Sequence, residues 1–152
     1  MGDAPLSPMA RAFAEAEAAG VRGEVPIGAV VVETTTGRVL AAAGNRTKED
    51  HDPTAHAELL AIRAAAKALG SERLTDCDLY VTLEPCPMCA QAISFARIRR
   101  LYYGAFDPKG GGVEHGPRLY AQPSCHHAPE VYGGIEETRA GELLRGFFRE
   151  RR

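Results

Sequence analysis

Two short segments, His56-Ala57-Glu58 and Pro85-Cys86-Pro87-Met88-Cys89, constrain this chain most, because they carry three metal-ligand side chains suited to one ion and so must meet in space. One imidazole and two thiolates give zinc three soft or borderline donors and leave a fourth tetrahedral position for water, whereas a structural site is closed by a fourth protein ligand. The pattern therefore reads as a catalytic zinc site, with one Zn2+ per chain. Cys86 and Cys89 are three apart, which on a helix puts both sulfurs on one face. Pro85 and Pro87 mark a helix start, and the free N–H groups of such a first turn lower a thiol pKa. Asp52-Pro53-Thr54 supplies capping residues and a proline ahead of His56, so the histidine is predicted in the first turn of another helix. Glu58, two residues on, points elsewhere on that helix; it is poorly placed as a ligand and well placed as general acid/base toward a water.

Each piece alone has a duller explanation. A Cys-x-x-Cys is equally a redox pair or half of a structural zinc site, and a histidine near a helix start is often a cap. Joined, the segments favour the catalytic reading, because a redox pair leaves His56 and Glu58 without a role. Cys125-His126-His127 is the other group of potential ligands; adjacent residues diverge in direction, so a packed or solvated loop is expected there. Cys77 reads as a small buried side chain or a free thiol.

At 152 residues the chain is expected to form one domain, 1–152, large enough for a core of two or three layers. It has no apolar run of membrane-spanning length, and Met1-Gly2-Asp3-Ala4-Pro5 lacks the pattern of a secretory signal, so a cytoplasmic protein without disulfides is expected. A net charge of -2 does not advertise a nucleic-acid binder. Positive charge is nevertheless concentrated in the second half, at Arg97, Arg99 and Arg100 and at Arg145, Arg149, Arg151 and Arg152, which is either a local patch for a small RNA loop or a solvated helix face and tail.

Along the chain, Ser7-Pro8 opens a helix with Met9, Phe13 and Ala16 on one face, stopping near Gly20. Residues 26–33 and 38–43 read as a hairpin turning at Thr36-Gly37. A polar loop then leads to the helix of His56, whose stripe of Leu59, Ile62, Ala66 and Leu69 is expected to pack on a sheet before Gly70 ends it. Residues 79–83 form a strand that feeds the cysteine helix, and residues 101–104 form another; this strand-helix-strand unit favours parallel pairing and sets the metal at one sheet edge. Residues 106–129 are too long for an ordinary connection and carry a predicted short helix near Arg118-Leu119-Tyr120. Residues 131–135 add a short strand, and Leu143, Leu144, Phe147 and Phe148 face inward from a closing helix. The order gives an α/β fold, a three-layer α/β/α sandwich around a mixed sheet of about five strands.

The His-x-Glu and Pro-Cys-x-x-Cys signature is that of the zinc base deaminases, in which the glutamate is not a ligand. With Glu24-Val25-Pro26-Ile27-Gly28-Ala29-Val30, Gly44-Asn45-Arg46, residues 51–58, residues 79–86 and Asp107-Pro108-Lys109-Gly110-Gly111, nearly the whole chain resembles the bacterial tRNA adenosine deaminases that make inosine at the anticodon wobble position. That resemblance implies a cytidine deaminase-like fold and hydrolysis of adenosine at C6 to inosine and ammonia. It makes His56, Cys86 and Cys89 the zinc ligands and Glu58 the proton carrier. It also implies Asn45 on the base, Ile27 lining the base pocket, Asp107 and Lys109 beside the flanking nucleotides, and Arg149, Arg151 and Arg152 beside RNA phosphates. The implied partners are a tRNA anticodon stem-loop and a second copy in a homodimer. Residues 112–129 depart from many relatives. Guanine deaminases share the signature, including the proline between the cysteines, and act on the free base without RNA. Free cytidine deaminases usually show glycine where this chain has Pro87. A reading of another class, a non-enzymatic structural zinc-binding module, predicts a dispensable Glu58 and a closed coordination shell.

Overall fold

A computed structural model of the protein describes residues 6–151. Four helices flank one five-stranded sheet: α1 (Pro8–Val21), β1 (Gly28–Glu33), β2 (Val39–Gly44), α2 (Ala57–Leu69), β3 (Cys77–Leu83), α3 (Pro87–Ala96), β4 (Arg100–Ala105), β5 (Glu130–Tyr132) and α4 (Glu137–Glu150). The strand order is β2-β1-β3-β4-β5. β1 pairs antiparallel with both β2 and β3, while β3–β4 and β4–β5 are parallel, so the sheet is mixed as its connections require.

Along most of their length the strands alternate between two cores, although Leu83 and Ala105, at the ends of β3 and β4, join the side of α1 and α4. Ala29, Val31, Leu79, Val81, Leu101 and Tyr103 face α2 and α3, whereas Val30, Val32, Tyr80 and Tyr102 face α1 and α4. Ser7 caps α1, its hydroxyl accepting the Ala10 N–H at 3.2 Å, and Met9, Ala12, Phe13, Ala16 and Ala19 are buried beneath it. That helix lies so close to the hairpin that a Cβ at Gly28 would sit 2.0 Å from the Ala12 carbonyl oxygen and one at Gly44 2.8 Å from that of Glu15. These two glycines face each other across the β1–β2 ladder, which makes the crossing point of helix and hairpin a fixed landmark.

On α2 the buried stripe is Ala57, Ala61 and Ala65 with Glu58, while Leu59, Ile62, Ala66 and Leu69 lie at its half-exposed flank. Small residues let the helix approach the sheet closely and push the bulky stripe sideways, toward the seam with α3. The long connection after β4 is packed down. A short 3₁₀ turn, Leu119–Ala121, is held by the Tyr120 hydroxyl donating to the Ala90 carbonyl at 2.9 Å, and His127 donates from Nε2 to the Ile98 carbonyl at 2.7 Å. Cys125 contacts the Ser94 hydroxyl in the same layer. His127 is thus engaged in packing, as expected of that loop, and Cys77 is a buried free thiol pushed up to about 11, chiefly by burial.

The polar loop ahead of α2 is organised by a buried carboxylate from outside it. Glu24 accepts the N–H of Glu49 at 2.8 Å, the N–H of Lys48 at 3.1 Å and the Thr47 hydroxyl at 3.4 Å. Burial by itself would raise this carboxyl, but the Glu49 and Lys48 amides, the Thr47 hydroxyl and the Arg22 guanidinium outweigh it and hold it below the usual glutamate range. Because the folded-state pKa is lowered, the stabilisation is complete above the ordinary glutamate value and fades as pH falls through the lowered one. Glu24→Gln should therefore cost about 1–3 kcal/mol at neutral pH, a deficit that shrinks in acid, read by denaturant unfolding of both proteins across pH. A deficit independent of pH would refute the assignment.

Candidate active site

His56 is the N-cap residue of α2, with extended backbone at φ -77° and ψ 150°, and Cys86 is the N-cap of α3, at φ -70° and ψ 169°, with Pro87 at the first helical position. Cys89 is buried in the first turn of α3. The histidine thus stands one residue ahead of the helix rather than inside it. Its Nδ1 lies 3.6 Å from both the Cys86 and Cys89 sulfurs. A tetrahedral zinc with metal–sulfur bonds of about 2.3 Å and a metal–nitrogen bond of about 2.0–2.1 Å puts nitrogen and sulfur roughly 3.6 Å apart, so the donor set fits one ion. Among the described residues, the three ligand atoms fall within 4.8 Å of one another as a His/Cys/Cys set that contains no carboxylate.

Local sequence explains how these side chains meet. Asp52 accepts the Thr54 N–H at 2.8 Å and the Thr54 hydroxyl at 2.7 Å, a turn that delivers the chain to His56. The side-chain oxygen of Asn45 accepts the Ala57 N–H at 2.8 Å and so caps α2 from across the loop. β3 ends at Leu83 and passes through Glu84 and Pro85 into Cys86. The cluster consequently sits at the edge of the sheet formed by the C-terminal strand ends, at the end of the central strand β3, which has β1 on one flank and β4 on the other.

A hydrogen bond from Cys89, followed by one from the His56 ring, pushes the Cys86 thiol down to about 4 in spite of burial, and the Cys86 thiolate in turn raises His56. Glu58 is buried in the first turn of α2, and burial pushes its carboxyl up to about 7. A carboxyl placed beside three soft donors and outside their set is arranged to exchange protons with whatever occupies the remaining coordination position.

The other residues singled out in the sequence divide by location. Asn45 is buried beside His56, and its backbone N–H donates to the Ile27 carbonyl at 3.2 Å, which brings half-buried Ile27 to the same end of the sheet. Asp107 and Lys109 line a cavity of about 640 Å³ with Phe106, Leu144, Arg145 and Phe148, where β3 and β4 end. Arg149 borders the adjoining surface with Phe148. Arg151 instead lies over the Phe147 ring, 3.6 Å from its centroid, and Arg152 lies outside the described residues. Of the central arginines, Arg99 and Arg100 stand at the opposite end of β4, paired with Asp78 at 2.9 Å and Glu130 at 2.6 Å, and Arg97 ends α3 in a left-handed conformation, so this cluster lies away from the end of the sheet where His56, Cys86 and Cys89 meet. Arg145, which the sequence offered only as one more terminal charge, is the cation that α4 brings to the cavity wall.

A family model described as the cytidine and deoxycytidylate deaminase zinc-binding region matches residues 6–105. A tRNA-specific adenosine deaminase of Agrobacterium fabrum is 65% identical over 144 residues, spanning 95% of this chain and 93% of that protein. A solved structure from studies of A-to-I editing by tRNA:A34 deaminases at the wobble position of transfer RNA matches with a TM-score of 0.87 at 64% identity, over 90% of this chain and 98% of that one. The guanine deaminase of Bacillus subtilis shares the fold more distantly, with a TM-score of 0.64 at 32% identity, over 91% of this chain and 92% of that one.

Proposed function

Because the chain belongs to the cytidine and deoxycytidylate deaminase family, we propose that it is a hydrolytic deaminase converting adenosine to inosine at the wobble position of a tRNA anticodon. The observation that carries this reading is the His56, Cys86 and Cys89 donor set with buried Glu58 beside it and no fourth protein ligand in the set among the described residues. Residues 1–152 act as one deaminase domain, with one zinc ion per chain held by the imidazole and two thiolates. Zinc supplies Lewis acidity, making a water acidic enough to react near neutral pH. Glu58 would take one proton from the attacking water and pass it to N1 of the purine, then take the proton of the resulting C6 hydroxyl and deliver it to the departing exocyclic amine, ending in its starting state. A C6–O bond forms, the C6–N bond breaks, and inosine and ammonia are the products.

Asn45 spends its side-chain oxygen on the Ala57 N–H, so its NH2 is the group offered to a purine acceptor, while Ile27 forms part of the base pocket. Lys109 and Arg149, with Arg145 between them on the cavity wall, meet RNA phosphates; Asp107 faces a flanking nucleotide. Arg151, at the end of the same helix, adds charge there, and Arg152 is assigned to RNA phosphates on the family resemblance alone. An unstacked loop base suits a site recessed at a sheet end, and the higher identity to tRNA-specific relatives than to a guanine deaminase favours RNA over a free base. The protein works in the cytoplasm with its tRNA substrate. No helix among the described residues is long and apolar enough to cross a membrane.

The functional unit is a homodimer. Phe95 is 69% exposed on α3 and stands with Leu59, Ile62, Ala66 and Ala92 around a shallow apolar groove between α2 and α3. An exposed aromatic ring inside such a patch favours a contact with a second copy. Phe95→Asp should turn the dimer into a monomer in sedimentation velocity; an unchanged sedimentation coefficient would show that the interface lies elsewhere.

Glu58→Ala should keep one zinc per chain while inosine formation in an anticodon stem-loop falls by roughly 10²–10⁴-fold, and Cys86→Ala should lose metal and turnover together. Undiminished turnover in the Glu58 variant would reject its role. Conversion of guanine to xanthine with no inosine in the stem-loop would reject the tRNA substrate.

A further inference from the structure

Glu84 lies between the end of β3 and Pro85-Cys86, and its side chain is fully buried. One oxygen accepts the Asp107 N–H at 3.0 Å and the His115 Nδ1–H at 2.8 Å. The other accepts the N–H groups of Val113 at 3.2 Å, Glu114 at 2.9 Å and His115 at 3.1 Å. Five donors on one carboxylate compensate its desolvation, and four of them belong to the backbone. They come from both ends of one segment, so the carboxylate closes residues 107–115 into a loop around itself.

The sequence of that segment is shaped to the anion. A Cβ at Gly111 would fall 2.5 Å from a Glu84 oxygen, and one at Gly112 would fall 2.6 Å from the backbone of Pro87. The Gly112 N–H also donates to the Pro85 carbonyl at 2.8 Å, and the N–H of Glu84 itself donates to the Ala105 carbonyl at 2.8 Å. The loop is thereby pressed onto the start of α3 on one side, while Asp107, Lys109 and Gly110 form the wall of the 640 Å³ cavity on the other. Glu84 is absent from the ligand set.

The geometry points to Glu84 as a positioning residue that holds the Asp107–Val113 segment, and with it the cavity wall for a flanking nucleotide, in fixed register with the first turn of α3, which carries Cys86 and Cys89. This rests on the reading of the site as an RNA-loop deaminase. A group in this role acts on how the substrate is held more than on the chemical step.

The test uses full-length Glu84→Gln, which keeps the shape but turns one acceptor into an NH2 facing at least two N–H donors. Hydrogen exchange at the amides of Asp107, Val113, Glu114 and His115 should accelerate by about tenfold or more, with α1 unchanged and zinc content at one per chain. KM for an anticodon stem-loop should rise about tenfold, with kcat altered by less than about threefold. His115→Ala removes one donor at a half-exposed position; it should fold normally and shift KM by about twofold to threefold with faster exchange at the same amides, deciding the matter if the Gln variant does not fold. Unchanged exchange and unchanged KM would overturn the proposal. So would kcat falling in step with zinc content at constant KM, which marks a purely structural residue. If the wild type leaves the stem-loop untouched, the functional reading fails, while localised exchange still reports that Glu84 holds the segment.

Discussion

Everything at the site depends on two helices starting at one point. α2 and α3 both point their N-termini at the end of the central strand, where unpaired N–H groups and the aligned peptide dipoles favour negative charge. That is where the chain places two cysteines and a buried glutamate. The capping geometry of His56 and Cys86, each with extended backbone, turns their side chains toward a common centre, where the hydrogen bonds from Cys89 and His56 lower the Cys86 thiol. Neither helix supplies a side-chain cap of its own; Asn45 does so for α2, which ties the loop after β2 to the start of the helix at His56.

Two buried carboxylates steady the surroundings of this point. Glu24 gathers the amides of the loop that precedes α2, and Glu84 gathers those of the loop that follows β4. In each case a single anion accepts amides that an irregular segment would otherwise leave without a partner. In both loops the hydrogen bonds that hold the backbone come from inside the protein.

Much of this was legible in the sequence where the determinants are local. The His and Cys spacing, the prolines at the helix starts and the alternation within 79–83 and 101–104 depend on neighbours a few residues apart, and they anticipate the meeting of His56, Cys86 and Cys89, the parallel β3–β4 pair and the mixed five-stranded sheet. What escaped depends on distant partners. Glu84 finds its donors 23 to 31 residues away, and nothing beside it in the sequence announces them. Arg99 and Arg100 read as a basic patch until Asp78 and Glu130, 21 and 30 residues away, are seen to neutralise them. The buried face of α2 was missed because large apolar residues attract attention, whereas alanines make the closest contact with the sheet.

In the proposed site three protein donors would hold the metal, leaving the fourth position open to exchangeable ligands. Zinc-edge X-ray absorption on the protein as isolated tests this most directly. The account predicts about one zinc per chain with two sulfur and two light-atom neighbours, one of which is replaced when azide is added. A spectrum indifferent to azide, indicating a shell closed by the polypeptide, or protein that carries no stoichiometric zinc, would contradict it.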